Sequence, residues 1–594
     1  MEFIAQNFVP LLFAGLLVFL LTGFPVAFSL AATGLAFGVL GMQAGLFPEA
    51  LFQALPLRIF GIMQNDTLLA IPFFTLMGII LQRSGMAEDL LETVGQVFGP
   101  LRGGLAFAVV FVGALLAATT GVVAAAVISM GLISLPIMLR YNYNRTIATG
   151  VITASGTLAQ AIPPSLVLIV MADQLGRSVG DMYAGALLPG LLLVGLYILF
   201  IVAIAIFRPN WVPALPPEAL IYKEENGATG HKSLLAIMVI AAAAGTLWSK
   251  VHDTVINPMV DRTGAAPADE VLIMSMTVSS FLLLALALAN HWLRLGLLSK
   301  LSERVTFVLI PPLVLIFLVL GTIFLGIATP TEGGAMGAAG ALIMAVSRRR
   351  LNFSLLKQAL DNTAKLSCFV LFILIGSTVF SFTFNAADGH IWVEHLFDKL
   401  PGGTLGFLIA VNALIFVLGM FIDFFEIAFI VIPILAPVAE KMGIDLIWFG
   451  VIIAMNLQTS FLTPPFGFAL FYLRSVAPRS DYNDRITRQR IPAVTTAQIY
   501  KGSIAFIVLQ LIMVAAIIAF PNLVSGNLEK GPAVDLNSIQ LEAETGGFDR
   551  PEDDPMKAFG QQPNENPPAT QGDAPKEEDP MEAIKRSLEQ DSKK

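Results

Sequence analysis

The sequence predicts an all-α membrane protein built from two upside-down copies of one unit, and three observations carry that expectation. Of 594 residues, 56% are hydrophobic and 13% charged, with a mean hydropathy of +0.77. A soluble domain carries about 25% charged residues, so this chain cannot cover its own surface with polar groups. Apolar runs long enough to cross the hydrocarbon recur as far as position 520. Finally, prolines return at a nearly constant spacing of 301 residues. The net charge of -8, much of it in the last sixty residues, offers no basic field for nucleic acid, and the single Cys368 excludes a disulfide framework. Met1-Glu2-Phe3 lacks the positive region of a cleaved signal peptide, so the first apolar run is expected to persist as a helix.

Runs bounded by Pro, Gly and charge give about twelve spanning helices, near 8–23, 25–41, 66–82, 145–171, 183–207, 233–249, 269–289, 305–327, 331–346, 364–384, 446–473 and 501–520. Segments 103–138 and 404–439 are too long for one crossing, and each is interrupted by a polar patch, Thr119-Thr120-Gly121 and Asp423-Phe424-Phe425-Glu426. Both read as re-entrant hairpins, because irregular backbone at depth is tolerated only where protein or a wet cavity satisfies it. A short amphipathic stretch precedes each, around Leu90 to Phe98 and Ile391 to Leu400, and suits the membrane interface. Alternating the loops collects Arg83, Arg140, Arg208, Arg304, Arg348, Arg349, Arg350 and Arg490 on one side, which the positive-inside rule makes cytoplasmic. Both termini then face the periplasm. The end of the chain, with Pro551-Glu552-Asp553-Asp554 and Lys576-Glu577-Glu578-Asp579, is charged and poor in aromatics and reads as disordered.

Pro163-Pro164 fall on Pro464-Pro465 at the 301-residue offset, as do Pro136 on Pro437 and Pro100 on Pro401, while Pro25 meets Pro330 at 305. Each such proline breaks or bends a helix at one structural place, so the matches define a repeat. The expected organisation is a first copy at 1–221, an insert with two extra spans at 222–304, a second copy at 305–520 and an acidic tail at 521–594. Seven crossings separate equivalent points; an odd number inverts the copies, the plan of secondary transporters.

In each copy a hairpin is followed by a helix broken at Pro-Pro, and the four interruptions can meet near the midplane. Free N–H groups at helix starts suit a carboxylate; unwound carbonyls and hydroxyls suit a small hard cation. The first copy offers Thr119, Thr120, Gly121, Ser155, Gly156, Thr157, Gln160 and Ser165; the second offers Asp423, Glu426, Asn456, Gln458, Thr459, Ser460 and Thr463. This oxygen-rich set without a His or Cys cluster fits an alkali cation. Blander readings stand beside these. A Pro-Pro pair can be a packed kink, and a Ser or Thr in a helix commonly bonds its own i−4 carbonyl. Gly333, Gly334, Gly337 and Gly340 read as a packing face, and Arg348 to Arg350 as a topology anchor. Glu332 and Asp423 read as carboxylates at membrane depth, with a place near a helix end as the alternative for Glu332, and the five histidines (231, 252, 291, 390 and 395) are given no role.

The stretches "TASGTLAQAIPPSLVL", "LGTIFLGIATPTEGGAMGAAGAL", "GMFIDFFEIAFIVIPILAPVAEKMGID" and "FGVIIAMNLQTSFLTPPFGFALF" resemble the large membrane (permease) subunit of tripartite ATP-independent periplasmic (TRAP) transporters of the C4-dicarboxylate type, over about 1–210 and 305–520. The resemblance implies an elevator-type, sodium-coupled importer in the bacterial inner membrane. Its implied partners are a small four-helix membrane subunit and a periplasmic binding protein that delivers an organic acid. It places substrate and sodium at the tips Thr119 to Gly121 and Asp423 to Glu426 and at the breaks Ser155 to Pro163-Pro164 and Asn456 to Thr463-Pro464-Pro465. Sodium candidates within that set are Ser155, Thr157, Asp423, Glu426, Asn456, Thr459 and Ser460. No G-x-x-x-x-G-K-[ST] loop is present, so uphill transport needs an ion gradient or another subunit. A self-sufficient carboxylate symporter or exchanger, and more remotely an intramembrane hydrolase using Ser155 or Asp423, are the alternatives. No cofactor is expected beyond the coupling sodium ions.

Overall fold

The computed structural model describes residues 6–526 except 49, 223–229, 261, 263, 295 and 485. The segment expected to be a disordered tail lies outside the described residues from 527 onward. Helices dominate: α1 (Phe8–Leu21), α2 (Val26–Gln43), α3 (Leu55–Met63), α4 (Ala70–Arg83), α5 (Met86–Phe98), α6 (Gly104–Thr120), α7 (Val123–Arg140), α8 (Arg145–Thr157), α9 (Leu166–Gln174) and α10 (Val179–Phe207). The insert supplies α11 (His231–Ile256) and α12 (Ala268–Leu293). There follow α13 (Lys300–Phe324), α14 (Pro330–Ser347), α15 (Phe353–Ala386), α16 (Gly389–Asp398), α17 (Gly403–Leu418), α18 (Phe424–Glu426), α19 (Ile432–Lys441), α20 (Leu446–Ser460), α21 (Phe468–Val476), α22 (Thr496–Ala519) and α23 (Asn522–Ser525). Among the described residues the one sheet is a two-stranded ribbon, Tyr482–Asn483 against Arg490–Ile491.

Nine helices among the described residues are long and apolar enough to cross a membrane, so the protein is a multi-pass membrane protein. Runs 145–171 and 446–473 emerge as pieces, α8 with α9 and α20 with α21, because Pro163-Pro164 and Pro464-Pro465 cut the helical hydrogen-bond ladder. Both Pro-Pro bonds are cis.

The same local devices recur 301 residues apart. Asn144 caps α8 by accepting from the amides of Thr146 and Ile147, and Asp445, 301 residues later, caps α20 by accepting from Ile447 and Trp448. Pro136 lies inside α7 and Pro437 inside α19, while α2 and α14 start beside Pro25 and Pro330. The copies interlock through small residues. α2 packs on α15, where a Cβ on Gly34 would stand 2.7 Å from the Val379 carbonyl oxygen and one on Gly376 2.4 Å from that of Ala27. The reciprocal pair is α14 on α4, with Gly334 against Phe73 and Phe74 and Gly337 against Met77. The glycine face after Pro330 is therefore a packing surface, since any side chain there would push the helices apart.

Four expectations change. The tail does not begin at 521: α23 is docked, with Val524 buried against Gly185 of α10. Glu332 is no buried carboxylate; it is exposed at the start of α14 in a reciprocal capping box with Thr329. His252 has a structural role, fully buried in the insert, 2.9 Å from Glu270, which also binds both terminal nitrogens of Arg262. Arg348 and Arg350, read as topology anchors, have a further role, because both bind Asp89 of α5.

Candidate transport site

In the first copy α6 and α7 form a hairpin whose turn is Gly121, at φ +59, followed by extended Val122. A Cβ on Gly121 would lie 2.8 Å from Leu166, the first residue of α9, and one on Gly156 would lie 2.3 Å from Val127 in α7. The tip thus straddles the break, touching the end of α8 and the start of α9. Gly113 lets α6 close onto Ser155, whose Cβ would be 2.5 Å from any Cβ placed there. Ser155 and Gln160 are fully buried, and the Ser155 hydroxyl and both amide atoms of Gln160 lack a hydrogen-bonding partner within the protein. Such a group costs about 1–3 kcal/mol if nothing satisfies it. Thr157 donates to the Ala154 carbonyl, and Ser165 to that of Gln160.

In the second copy α17 leads through a turn at 419–423 into α18, a π turn at Ile427–Val431, and α19. The π turn comes just before Pro433, which has no amide hydrogen to continue the α ladder. Asp423 accepts from the Phe424 amide at 2.7 Å, and Glu426 accepts from the Asp423 amide at 3.1 Å. These carboxylates, expected as cation ligands, first of all cap the hairpin's returning arm. Gly419 meets Ser460 of α20, and Asn456 donates to the Asn412 carbonyl of α17 at 2.7 Å, so this tip also sits on its own break. Thr459, Ser460 and Thr463 donate to the carbonyls of Met455, Asn456 and Thr459. Each hydroxyl oxygen keeps lone pairs that could coordinate a cation.

The two breaks are joined by residues that sequence reasoning missed. Gln510 of α22 donates to the Tyr197 hydroxyl at 2.6 Å and reaches Thr157 at 3.4 Å, while Gln458 donates to Tyr197 at 3.4 Å. The signal available was a polar side chain inside each of two apolar runs. α9 packs on α18, on the π turn and on α20, which brings the first break against the second hairpin. Neither α9 nor α21 has a side-chain cap, although Phe461 takes the Ala469 amide. Remaining amides at these starts are the anion-binding kind. At the side chains of Thr119 and Thr120 the structure is not described.

The hairpin bases are anchored differently. Arg140, ending α7, binds both oxygens of Asp484 at 3.0 Å. Burial alone would raise the Asp484 carboxyl, but the amide and hydroxyl of Thr487 together with Arg140 outweigh it and hold it at about 2. At the other base Lys441 pairs with Glu394 of α16, and Glu440 with Arg177 at 3.2 Å.

Residues 13–523 match the family described as the tripartite ATP-independent periplasmic transporter, DctM component. The chain belongs to the DctM family. Relatives include the C4-dicarboxylate TRAP transporter large permease proteins of Pseudomonas aeruginosa, 28% identical over 73% of this chain and 82% of that protein, and of Rhodobacter capsulatus, 26% identical over 86% and 98%. The sialic acid TRAP transporter large permease of Vibrio cholerae is 23% identical over 78% of this chain and 88% of its own length. As a DctM-family protein the chain is the large permease subunit of a transporter and not an enzyme.

Proposed function

We propose that this permease imports an organic acid, delivered by a periplasmic binding protein, on a sodium gradient, and does so together with a small four-helix membrane subunit. The observation that carries the reading is that each hairpin tip sits on a broken helix, that Thr157, Tyr197, Gln510 and Gln458 link the two breaks by hydrogen bonds, and that Ser155 and Gln160 are buried in the first break without a protein partner. Hydroxyl and amide oxygens at Ser155, Thr157, Asn456, Thr459 and Ser460, and the carboxylates of Asp423 and Glu426, supply hard ligands for sodium. The uncapped starts of α9 and α21, beside Pro163-Pro164 and Pro464-Pro465, and the tip at Thr119, Thr120 and Gly121 suit a substrate carboxylate, with Gly156 and Thr463 next to the two breaks. Relatives named for C4-dicarboxylates and for sialic acid support an organic acid as the solute.

In this reading the copies 1–221 and 305–520 are inverted, both termini are periplasmic, and the hairpins ride with the broken helices in an elevator motion. The decisive experiment is uptake into proteoliposomes carrying both membrane subunits and the loaded binding protein. An inward sodium gradient drives uptake, and choline substitution abolishes it; uptake that survives choline but stops when a proton gradient collapses would refute sodium coupling. Single cysteines tested with an impermeant thiol reagent in a background lacking Cys368 address the orientation. Arg102 and Arg140 positions should label from the cytoplasm, Gly402 and Lys441 positions from outside; both bases on one side would overturn the inversion.

A further inference from the structure

Far from the tips, where the insert meets the second copy, Asp89 of α5 gathers three guanidiniums: Arg350 at 3.0 Å, Arg348 at 3.1 Å and Arg304 at 3.5 Å. One carboxylate thus holds three guanidiniums. Arg348 and Arg350 are also fixed by the carbonyls of Phe307 and Ser84. Among the described residues Arg304 has only its long contact to Asp89, and its Nε is buried without an acceptor. The next carboxylate along, Glu303, is engaged by His291 at 3.0 Å.

These groups line one end of a cavity of ≈ 450 Å³, whose other walls are Leu284 and Leu288 of α12, Val308 and Pro311 of α13 and Met344 of α14. Pro311 lies seven residues along α13 from Arg304, so the cavity runs about 10 Å from its cationic end along an apolar flank. The flank belongs to helices that face hydrocarbon: Phe281 and Leu286 of α12 are exposed. A cationic mouth above an apolar slot between membrane helices has the chemistry of an amphiphilic anion.

We propose that this cavity binds an anionic phospholipid, its headgroup phosphate on Arg304 and Arg348 and an acyl chain along Leu284 and Leu288. The lipid joins α12 of the insert to α13 and α14, and so ties the extra helix pair to the second copy. The Arg304 side chain is 38% exposed, which leaves it free to meet a phosphate in the cavity.

The test uses the full chain in detergent, with phosphatidylglycerol, phosphatidylcholine or inorganic phosphate added, read by native mass spectrometry and thermal unfolding. Phosphatidylglycerol should be retained about tenfold over phosphatidylcholine, because both carry the phosphate but the choline of the zwitterion brings a cation into a mouth lined by three arginines, and it should raise the unfolding midpoint. Arg304→Gln should remove that preference. Leu288→Trp, which fills the slot and leaves every charge in place, should remove retention even if Arg304→Gln disturbs folding. Equal retention of phosphatidylcholine overturns the proposal, as does unchanged retention in Leu288→Trp. An equal thermal shift with inorganic phosphate alone also overturns it, by making this a free-anion site.

Discussion

Every residue from 147 to 172, through Pro163-Pro164, is buried, whereas at the second break Pro465 and Phe466 are exposed. In the first break Ser155 and Gln160 find no protein partner; in the second the hydroxyls of Thr459, Ser460 and Thr463 all donate to carbonyls, and Asp423 and Glu426 cap each other's turn. The caps and prolines recur 301 residues apart, but the chemistry around them does not. Proline and cap positions act locally, so a duplicated sequence keeps them wherever the helices must break. Side chains that meet a solute or ion are free to diverge. On the proposed reading each break contributes to both ion and solute binding, the first from a sealed interior and the second beside an exposed edge.

The largest expected effect tests that inequality at the turns. Gly121→Val places a β-branched residue at φ +59 with its Cβ 2.8 Å from Leu166, so uptake should fall to background with the protein still inserted. Gly419→Ala meets the Ser460 side chain at 2.7 Å but from a helical φ of -67, and should lose only several-fold. Equal losses in the two variants would show that the tips tolerate change alike.

Next in size is Asp423. Asp423→Ala removes both the cap and the charge and should abolish uptake; the lost cap alone is worth about 1 kcal/mol, too little to unfold the protein. Asp423→Asn keeps an acceptor for the Phe424 amide but not the charge. If the carboxylate serves the cation, this variant folds normally and needs more sodium for half-maximal uptake. Wild-type sodium dependence in Asp423→Asn would reduce the residue to a cap.

How much of this was legible beforehand follows from the range over which each signal acts. The hairpins, the breaks and the glycine face announce themselves locally, through proline, glycine and interrupted apolar runs. The three-residue spacing from Asp423 to Glu426 and from Thr329 to Glu332 is itself a capping-box signature, so the structural role of these acids was readable from spacing alone. Gln510 and Tyr197 were not readable, because their partnership spans 313 positions and no periodicity in either helix points to the other. His252 looked like a span-end residue, and only the pairing of α11 with α12 brings Glu270 against it.

A smaller effect separates a ligand-seeking hydroxyl from a neglected one. Ser155→Ala deletes a buried group without a protein partner, so the unfolding midpoint should hold or rise, since such a group costs about 1–3 kcal/mol when unsatisfied. If Ser155 binds sodium, uptake nonetheless falls and the sodium concentration for half-maximal uptake rises. Unchanged sodium dependence would make the first break as inert as a packed kink.

The smallest effect belongs to the hairpin base. Asp484 is held at about 2 against an ordinary 3.8. A lowered folded-state value means that its contribution to stability is complete above the ordinary value and is lost only as pH falls toward 2. From pH 5 to 8 the clamp on Arg140 is therefore constant. Asp484→Asn weakens that clamp and should lower the unfolding midpoint by a few degrees, by the same amount at every pH in that window. The Lys441–Glu394 pair at the opposite base is more exposed, so Glu394→Gln should shift the midpoint less. A gap between wild type and Asp484→Asn that widened from pH 5 to 8 would mean that a group titrating in that range, and not Asp484, governs the first hairpin's anchor.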